Sequence, residues 1–192
     1  MISHIFIGAS GLGCGPDCYR AHHRFGIDKL YLVFTLQIRA YFDRGDYVQD
    51  LARRVAFRTE SQEAGRESEL HGYLVRELQP TLERMGFACR LLDNPVPGKG
   101  PFLYAERLED PKLVTVLSYG HGDVIRGLDA KWRPGLSPWE VKQEGERLYG
   151  RGTADNKGQH SVNLGAVAAV LQARGRLGFN LKLMIETGEE IG

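Results

Sequence analysis

The spacing of apolar residues divides the chain into stretches of different character. Between Tyr41 and Gly86 apolar side chains recur every three or four positions, which is typical of helices with one buried face. The repeating positions are Tyr47, Val48, Leu51, Val55 and Ala56, then Leu70, Leu74, Leu78 and Leu82. Pro80 predicts a kink or break in the second helix, and Gly86 predicts its end.

After Gly86 the pattern is typical of strands. The segments "FACRLLD" and "PFLYAERL" flank the turn-rich "NPVPGKG", and "KLVTVLSYG" is an apolar, β-branched run that suits a buried central strand. "WEVKQEGERLYG" predicts a hairpin turning at Glu144 and Gly145, and "FNLKLMIETG" predicts a last strand. Between them, "KGQHSVNLGAVAAVLQARG" predicts a helix that is apolar on most sides, buried, and ended by Gly175. Strands alternating with helices indicate an α/β layered domain.

Residues 1–38 show neither the helical nor the strand spacing of apolar residues. A turn-rich "GASGLGCGPDC" and a basic "YRAHHRFG" precede the apolar "LYLVFTLQI". We therefore assign no regular structure to residues 1–38, which we predict to be an N-terminal extension, and we predict a domain over 39–192. Cys14, Cys18, His22 and His23 form a C-x3-C-x3-H-H pattern of residue types that zinc accepts. Zinc sites usually separate their ligand pairs by a longer stretch, so no metal site is predicted here.

Composition narrows the class of protein. The chain has 192 residues, 42% of them hydrophobic, with a formal net charge of +1. That is enough for one domain with a core, and it gives no electrostatic reason to expect a nucleic-acid or membrane partner. The apolar run Leu30 to Ile38 is too short to cross a bilayer. Three cysteines do not form a secreted disulfide framework, so we expect a cytoplasmic protein.

Three polar motifs each follow a predicted strand: "HGD" at 121–123, "GRGTADNKG" at 150–158 and "EEIG" at 189–192. Ligands bind open α/β sheets beyond the carboxyl ends of the strands, so we expect these loops to meet at one edge. A metal-bound imidazole usually donates its other N–H to a carboxylate, which is a role His121 and Asp123 suit. Alone, the same two residues are also consistent with a structural histidine and a turn aspartate.

The other two motifs have alternatives as well. Asp155 is either a carboxylate ligand or a helix cap. A phosphate loop would need Gly-Lys-Ser/Thr, whereas here Lys157 precedes a glycine and Asp155 would repel a phosphate. Of Glu189 and Glu190, one is placed to bind a metal and the other to take a proton from water, although a solvated surface pair is equally consistent with "EE" alone.

Together and in this order, the motifs resemble those of the zinc aminoacylase and carboxypeptidase G family, which includes acetylornithine deacetylase, succinyl-diaminopimelate desuccinylase and carnosine dipeptidases. The resemblance spans about Tyr41 to Gly192. It implies a three-layer, zinc-exopeptidase-like α/β domain whose mostly parallel or mixed sheet is flanked by helices. It also implies two Zn²⁺ ions (cobalt or manganese as alternatives), an N-acyl amino acid or small peptide as substrate, and homodimers in full-length homologues.

The resemblance assigns a role to each motif residue. His121 and Glu190 become metal ligands, and Asp155 bridges both metals and precedes a cis peptide bond. Asp123 orients His121 and is counted with the catalytic residues, and Glu189 is the general base. These assignments follow from the resemblance and not from spacing alone.

Part of the family pattern is absent from this sequence. Family members continue beyond "EEIG" with a further carboxylate ligand, a distant histidine ligand and a lid or dimerisation domain. We therefore expect the N-terminal part of a catalytic domain, incomplete at its C-terminus, that binds one metal weakly and does not hydrolyse substrate by itself. The alternatives are an inactive remnant and a nucleotide-binding α/β protein that uses the 150–158 loop.

Overall fold

A computed structural model describes the chain from Ile27 to Gly192, with side chains described from Leu32 onward. Residues 1–26 lie outside the described part. The C-x3-C-x3-H-H pattern and the first part of the predicted extension therefore lie outside it too.

Within residues 27–192, five α-helices and one π-helical segment form the helical structure, apart from two short 3₁₀ turns. Their bounds are α1 Ile27–Asp43, α2 Asp46–Val55, α3 Glu67–Gly72, the π-helix Tyr73–Leu78, α4 Gln79–Arg84 and α5 Lys157–Arg174. The break expected near Pro80 takes the form of the widened π-helical turn directly before α4. Gly86, with a φ of 78°, follows α4, which confirms the predicted helix end.

No regular structure was assigned before Tyr41, but helix α1 covers the described part of that segment. Helix α1 packs against α5, and the close approach is at Gly165, where an added Cβ would lie 2.9 Å from the Tyr41 ring. Leu32 and Leu36 remain more than half exposed. An apolar run that buries only part of itself shows no clean helical period, which explains why the pattern missed it. The boundary between 38 and 39 stays a prediction.

The strands form a mixed sheet and a separate hairpin. Strands β1 Ala88–Leu92, β2 Phe102–Arg107, β3 Thr115–His121 and β6 Asn180–Glu186 form the sheet in the order β1-β2-β6-β3. The pairs β1–β2 and β2–β6 are antiparallel, whereas β3 and β6 are parallel. Strands β4 Lys142–Glu144 and β5 Arg147–Tyr149 form the predicted hairpin, with its turn at Gly145 and Glu146, one residue later than predicted. The α/β class with a mixed sheet flanked by helices is confirmed, and the third layer stays a prediction.

Strand β3 was predicted to be a buried central strand, and this is wrong within residues 27–192. It is an edge of the described sheet, and β6 lies inside. Leu117 and Tyr119 on β3 are 50% and 44% exposed. A continuous apolar run indicates a strand but does not indicate which neighbours it has, so the position in the sheet was not readable from it.

The core lies on one face of the sheet. It joins apolar side chains of the π-helix and α4 to alternate residues of β2 and β6. The fully or nearly fully buried members are Tyr73, Leu74, Leu78, Leu82, Phe87, Leu103, Ala105, Leu164, Leu177, Leu181, Leu183 and Ile185. None of the helices described over 27–192 combines the length and apolar character needed to cross a membrane.

Helix α5 is less apolar and less buried than predicted. Its buried side carries Lys157, His160 and Ser161 as well as Leu164, while Val162 is 49% exposed. Ser161 accepts a hydrogen bond from buried Arg54 at 2.6 Å. The first turns of α5 therefore bury a polar surface, and those turns directly follow the "GRGTADNKG" loop.

Candidate metal centre

His121 is the last residue of β3 and pairs in register with Glu186, the last residue of β6. Because β3 and β6 are parallel neighbours, the loops that follow them leave the same edge of the sheet. The second motif, "GRGTADNKG", follows the separate hairpin and not a strand of the sheet, a difference from the arrangement predicted. It still reaches His121, since the Asn156 Oδ1 accepts the His121 backbone N–H at 3.4 Å.

The His121 ring is buried and has acidic partners on both sides. Its Nδ1 lies 3.2 Å from Asp123 Oδ1, while its Nε2 lies 3.1 Å from Asp155 Oδ1 and 3.8 Å from Glu189 Oε2. Burial alone would lower the pKa of His121, but the hydrogen bond and charge of Asp123, aided by Glu189 and Asp155, raise it to about 9. One ring nitrogen is thus held by Asp123, and the other faces two carboxylates.

Asp123 connects the first and third loops. Its carboxylate has no exposure and accepts hydrogen bonds from the Ser61 hydroxyl at 2.6 Å and from the backbone N–H groups of Glu189 and Glu190 at 3.3 and 3.0 Å. Burial opposes ionisation, but the hydrogen bonds from His121, Ser61 and the Glu190 backbone outweigh it and lower the pKa of the Asp123 carboxyl. An ionised Asp123 therefore fixes both the His121 ring and the turn that carries the two glutamates.

Glu189 and Glu190 lie in a short 3₁₀ turn, Glu189–Ile191, just beyond β6. One ligand atom from each of His121, Glu189 and Glu190 falls within 4.8 Å of the others. Burial, with the neighbouring carboxylates, raises the pKa of the Glu190 carboxyl, against the lowering effect of the His121 charge. Asp155 joins this group through His121 Nε2, and its side chain is 57% exposed. The peptide bond after Asp155 is cis, as the resemblance implied.

The donor set suits a divalent cation. The His121 imidazole and the carboxylates of Glu189 and Glu190 lie close enough to share one cation. Asp155 is outside that group of three, but its carboxylate lies 3.1 Å from His121 Nε2. Imidazole and carboxylate are ligand types that Zn²⁺ accepts. Three carboxylates beside one imidazole also leave an excess of negative charge, which a cation would neutralise. The geometry does not separate the roles of Glu189 and Glu190, because both reach the same space, so base and ligand stay predictions, as do the roles of the other site residues.

The sequence did not reveal the segment that supports the "HGD" turn from outside. Thr59 donates its hydroxyl to the Gly122 carbonyl at 2.7 Å, and the Thr59 carbonyl accepts the Val124 N–H at 2.8 Å. Ser61 bonds Asp123, and Gln62 donates to the Glu190 carbonyl at 2.8 Å. These residues lie more than fifty positions before their partners in a polar stretch without periodicity, so no local signal marked them.

Comparison with known proteins agrees with this geometry. Residues 117–192, which contain all the predicted site residues, match the profile of "Peptidase family M20/M25/M40". The human Beta-Ala-His dipeptidase is 32% identical over 162 residues, covering 77% of this chain and 31% of that protein. Residues 117–192 belong to peptidase family M20/M25/M40. Within that family, a succinyl-diaminopimelate desuccinylase from Rhodospirillum centenum is 37% identical over 118 residues, covering 60% of this chain and 29% of that protein.

Solved structures of M20 proteins are also similar to this chain. Human carnosine dipeptidase 1 superposes with a TM-score of 0.76 at 31% identity, covering 85% of this chain and 35% of that one. The M20 metallo-carboxypeptidase Sso-CP2 from Sulfolobus solfataricus gives 0.64 at 26% identity, covering 76% and 31%. The chain spans between 19% and 35% of the length of the first three curated relatives.

Proposed function

We propose that this chain provides the metal-binding and proton-transfer part of a metal-dependent hydrolase of amide bonds. The observation that carries the proposal is the convergence of three loops, far apart in sequence, on the Nε2 of one buried histidine. The relatives are named as dipeptidases and desuccinylases, which supports a hydrolase of this class.

Some of these residues would bind the metal, and others orient those ligands. His121, Asp155 and Glu190 would hold Zn²⁺, with Asp155 shared between two ions in the complete site. Zn²⁺ bound there would lower the pKa of a water molecule and polarise a substrate carbonyl. Asp123 keeps the His121 ring oriented with its Nε2 toward the other ligands, and Ser61 donates a hydrogen bond that, with those from His121 and the Glu190 backbone, favours the ionised form of Asp123.

Glu189 is the proposed proton carrier. It would accept a proton from the attacking water and deliver it to the leaving amine, so that it acts first as a base and then as an acid. Its backbone N–H is anchored on Asp123, which fixes the start of its side chain while the carboxylate reaches the common space beside His121.

Substrate class and setting complete the proposal. The substrates would be N-acyl amino acids or small peptides, with selectivity supplied by parts of the protein outside this segment. The sparse cysteines support a cytoplasmic location. Homodimers through a separate domain remain a proposal for full-length homologues.

The nucleotide-binding alternative has less support. Lys157, the one lysine of the 150–158 loop, is fully buried and donates its ammonium to the Phe57 carbonyl at 2.7 Å. It is therefore turned away from any phosphate at the loop surface. The inactive-remnant alternative predicts exposed apolar surface, and β3 has it, but a segment of a larger catalytic domain would expose the same edge. A measurement of substrate turnover separates the inactive remnant from a segment of an active catalytic domain.

The test of turnover joins residues 41–192 to the remaining part of human carnosine dipeptidase 1. The chimera is stripped with a chelator, reloaded with Zn²⁺ and given β-alanyl-histidine and an N-acetyl amino acid. We expect hydrolysis only after reloading. Glu189→Gln should lower the rate by about 10²- to 10⁴-fold without loss of zinc, whereas Glu146→Gln, at the exposed hairpin turn, should not. A zinc-loaded chimera that hydrolyses neither substrate, or an active Glu189→Gln, would contradict the proposal.

A further inference from the structure

Three buried polar side chains lie directly behind the candidate metal centre. Tyr73 is 0% exposed, His160 5% and Asn156 6%. The Tyr73 hydroxyl contacts His160 Nε2, and His160 Nδ1 lies 3.4 Å from Asn156 Oδ1. Nothing in the proposed proton transfer uses Tyr73 or His160, and yet buried polar groups are costly unless they are paired and serve a purpose.

Tyr73 also supports the "HGD" turn through its ring. A Cβ added at Gly122 would lie 2.7 Å from the Tyr73 ring, so the turn rests on the ring with no room for a side chain. Phe57 packs edge-on against the same ring at 5.5 Å, and the Lys157 ammonium lies 4.8 Å from the ring centre. The π-helical segment Tyr73–Leu78 begins at this residue, and such segments often occur at functional sites.

The direction of each hydrogen bond follows from one fixed donor. The His121 backbone N–H can only donate, so the Asn156 atom it meets at 3.4 Å is the amide oxygen. That oxygen also faces His160 Nδ1, which must therefore carry the ring proton. Both contacts are long because two donors share one oxygen. A neutral His160 then has a bare Nε2, which accepts the Tyr73 hydroxyl proton.

The surroundings of His160 keep its ring neutral. Burial, and then the positive charges of Arg54, Lys157 and His121, hold the pKa of His160 well below its usual value. The ring contacts the Tyr73 hydroxyl and the Asn156 amide, and both partners are neutral. The tautomer with the proton on Nδ1 thus gives a partner to both ring nitrogens of His160, to the Tyr73 hydroxyl and to the Asn156 oxygen.

We propose that Tyr73 and His160 are positioning residues that set the separation of His121 and Asp155. The ring of Tyr73 supports Gly122, next to His121. The hydroxyl of Tyr73 acts through His160 on Asn156, next to Asp155. Tyr73 therefore contacts Gly122, the neighbour of His121, directly, and it reaches Asn156, the neighbour of Asp155, through the His160 imidazole. The inference rests on the proposed function, since it concerns ligands of the same metal centre.

The test compares two tyrosine hydroxyls. Tyr73→Phe removes the bond to His160, and the control Tyr41→Phe removes a 2.7 Å bond to Asp50 on the helices away from the centre. Zn²⁺ affinity is measured by chelator competition, and geometry by the absorption spectrum of the Co²⁺-loaded protein. Loss of groups that orient metal ligands typically weakens metal binding by about 10- to 100-fold. We expect about a 10-fold loss and an altered spectrum for Tyr73→Phe, and neither change for Tyr41→Phe.

A second pair of variants guards against misfolding. His160→Gln keeps a hydrogen-bond donor and an acceptor, whereas His160→Leu keeps neither, so the glutamine variant should bind Zn²⁺ more tightly than the leucine variant. Nitrogen NMR shifts of the metal-free protein should place the His160 proton on Nδ1. Wild-type zinc affinity and an unaltered cobalt spectrum in Tyr73→Phe, or a proton on Nε2, would overturn this inference and leave the proposed function standing. A wild-type chain that binds no zinc would overturn both.

Discussion

Replacing Asp123 by asparagine changes the volume of this side chain very little but changes its hydrogen bonding greatly. Two donors meet each carboxylate oxygen. Oδ1 accepts from His121 Nδ1 and the Glu189 backbone, and Oδ2 accepts from Ser61 and the Glu190 backbone. In Asp123→Asn, an amide N–H₂ group replaces one of these two oxygens. Whichever oxygen it replaces, the two donors that met that oxygen now face another donor and lose their hydrogen bonds.

The expected cost follows from the bonds lost. Hydrogen bonds to a charged group contribute about 1.5–3 kcal/mol each, and two of them disappear. Rotation of the Ser61 hydroxyl, or a change of His121 tautomer, relieves one of the new clashes and favours the lower end of the range. We therefore expect a loss of about 3 kcal/mol in the free energy of unfolding, which is a large share of the 5–15 kcal/mol typical of a domain.

Urea unfolding of the metal-free protein measures this loss. The matched control is Asp50→Asn. It weakens hydrogen bonds from Tyr41 and from the half-exposed Arg53 on the helices and should lower the free energy of unfolding by less than about 1 kcal/mol. Ser61→Ala, which removes a single donor to Asp123, should lower the free energy of unfolding by about 1.5 kcal/mol. An Asp123→Asn protein within about 1 kcal/mol of the wild type would refute the role of Asp123 as the charged acceptor that joins the first and third loops.

Three further predictions concern stability. Because the folded-state pKa of His121 is raised from 6.5 to about 9, its contribution to stability is complete below pH 6.5 and is lost as the pH rises toward 9. Unfolding of the metal-free protein across this window should show a downward slope that His121→Gln lacks, and equal slopes would count against the pairing. Gly122→Ala should lower the free energy of unfolding by about 1–3 kcal/mol because its Cβ would meet the Tyr73 ring at 2.7 Å. Gly188→Ala, with no neighbour closer than 3.9 Å, should lower it less. Thermal unfolding of the two variants tests this, and equal losses would contradict it. Leu103→Ala, at a fully buried core position, should cost about 2–5 kcal/mol in urea unfolding, and a loss below 1 kcal/mol would place the core elsewhere.

The elements with a strong period or a strong stop signal were predictable from the sequence. Leu70, Leu74, Leu78 and Leu82 repeat at helical spacing because one helical face meets the sheet, and they are buried. Gly86 ends α4 because a residue without Cβ adopts positive φ at low cost. The three motifs were identifiable because their chemistry is unusual in combination, and the structure brings them together around His121.

The parts that were missed depend on contacts between distant segments. The position of β3 at a sheet edge depends on which strands pair with it, and no local pattern encodes that. Helix α1 buries only part of its apolar run. Ser61 and Tyr73 look like ordinary polar and core residues in sequence, and only the fold shows that one bonds Asp123 and the other supports Gly122.

The central claim is that His121, Asp155 and the two closing glutamates gather around divalent metal, and calorimetric titration of the metal-free protein with Zn²⁺ tests it most directly. The wild type should bind zinc and release protons as it does so, because His121 must lose its proton to become a ligand. His121→Gln should bind at least about 10-fold more weakly. A wild-type chain that takes up no zinc, or a His121→Gln chain that binds it equally well, would contradict the claim.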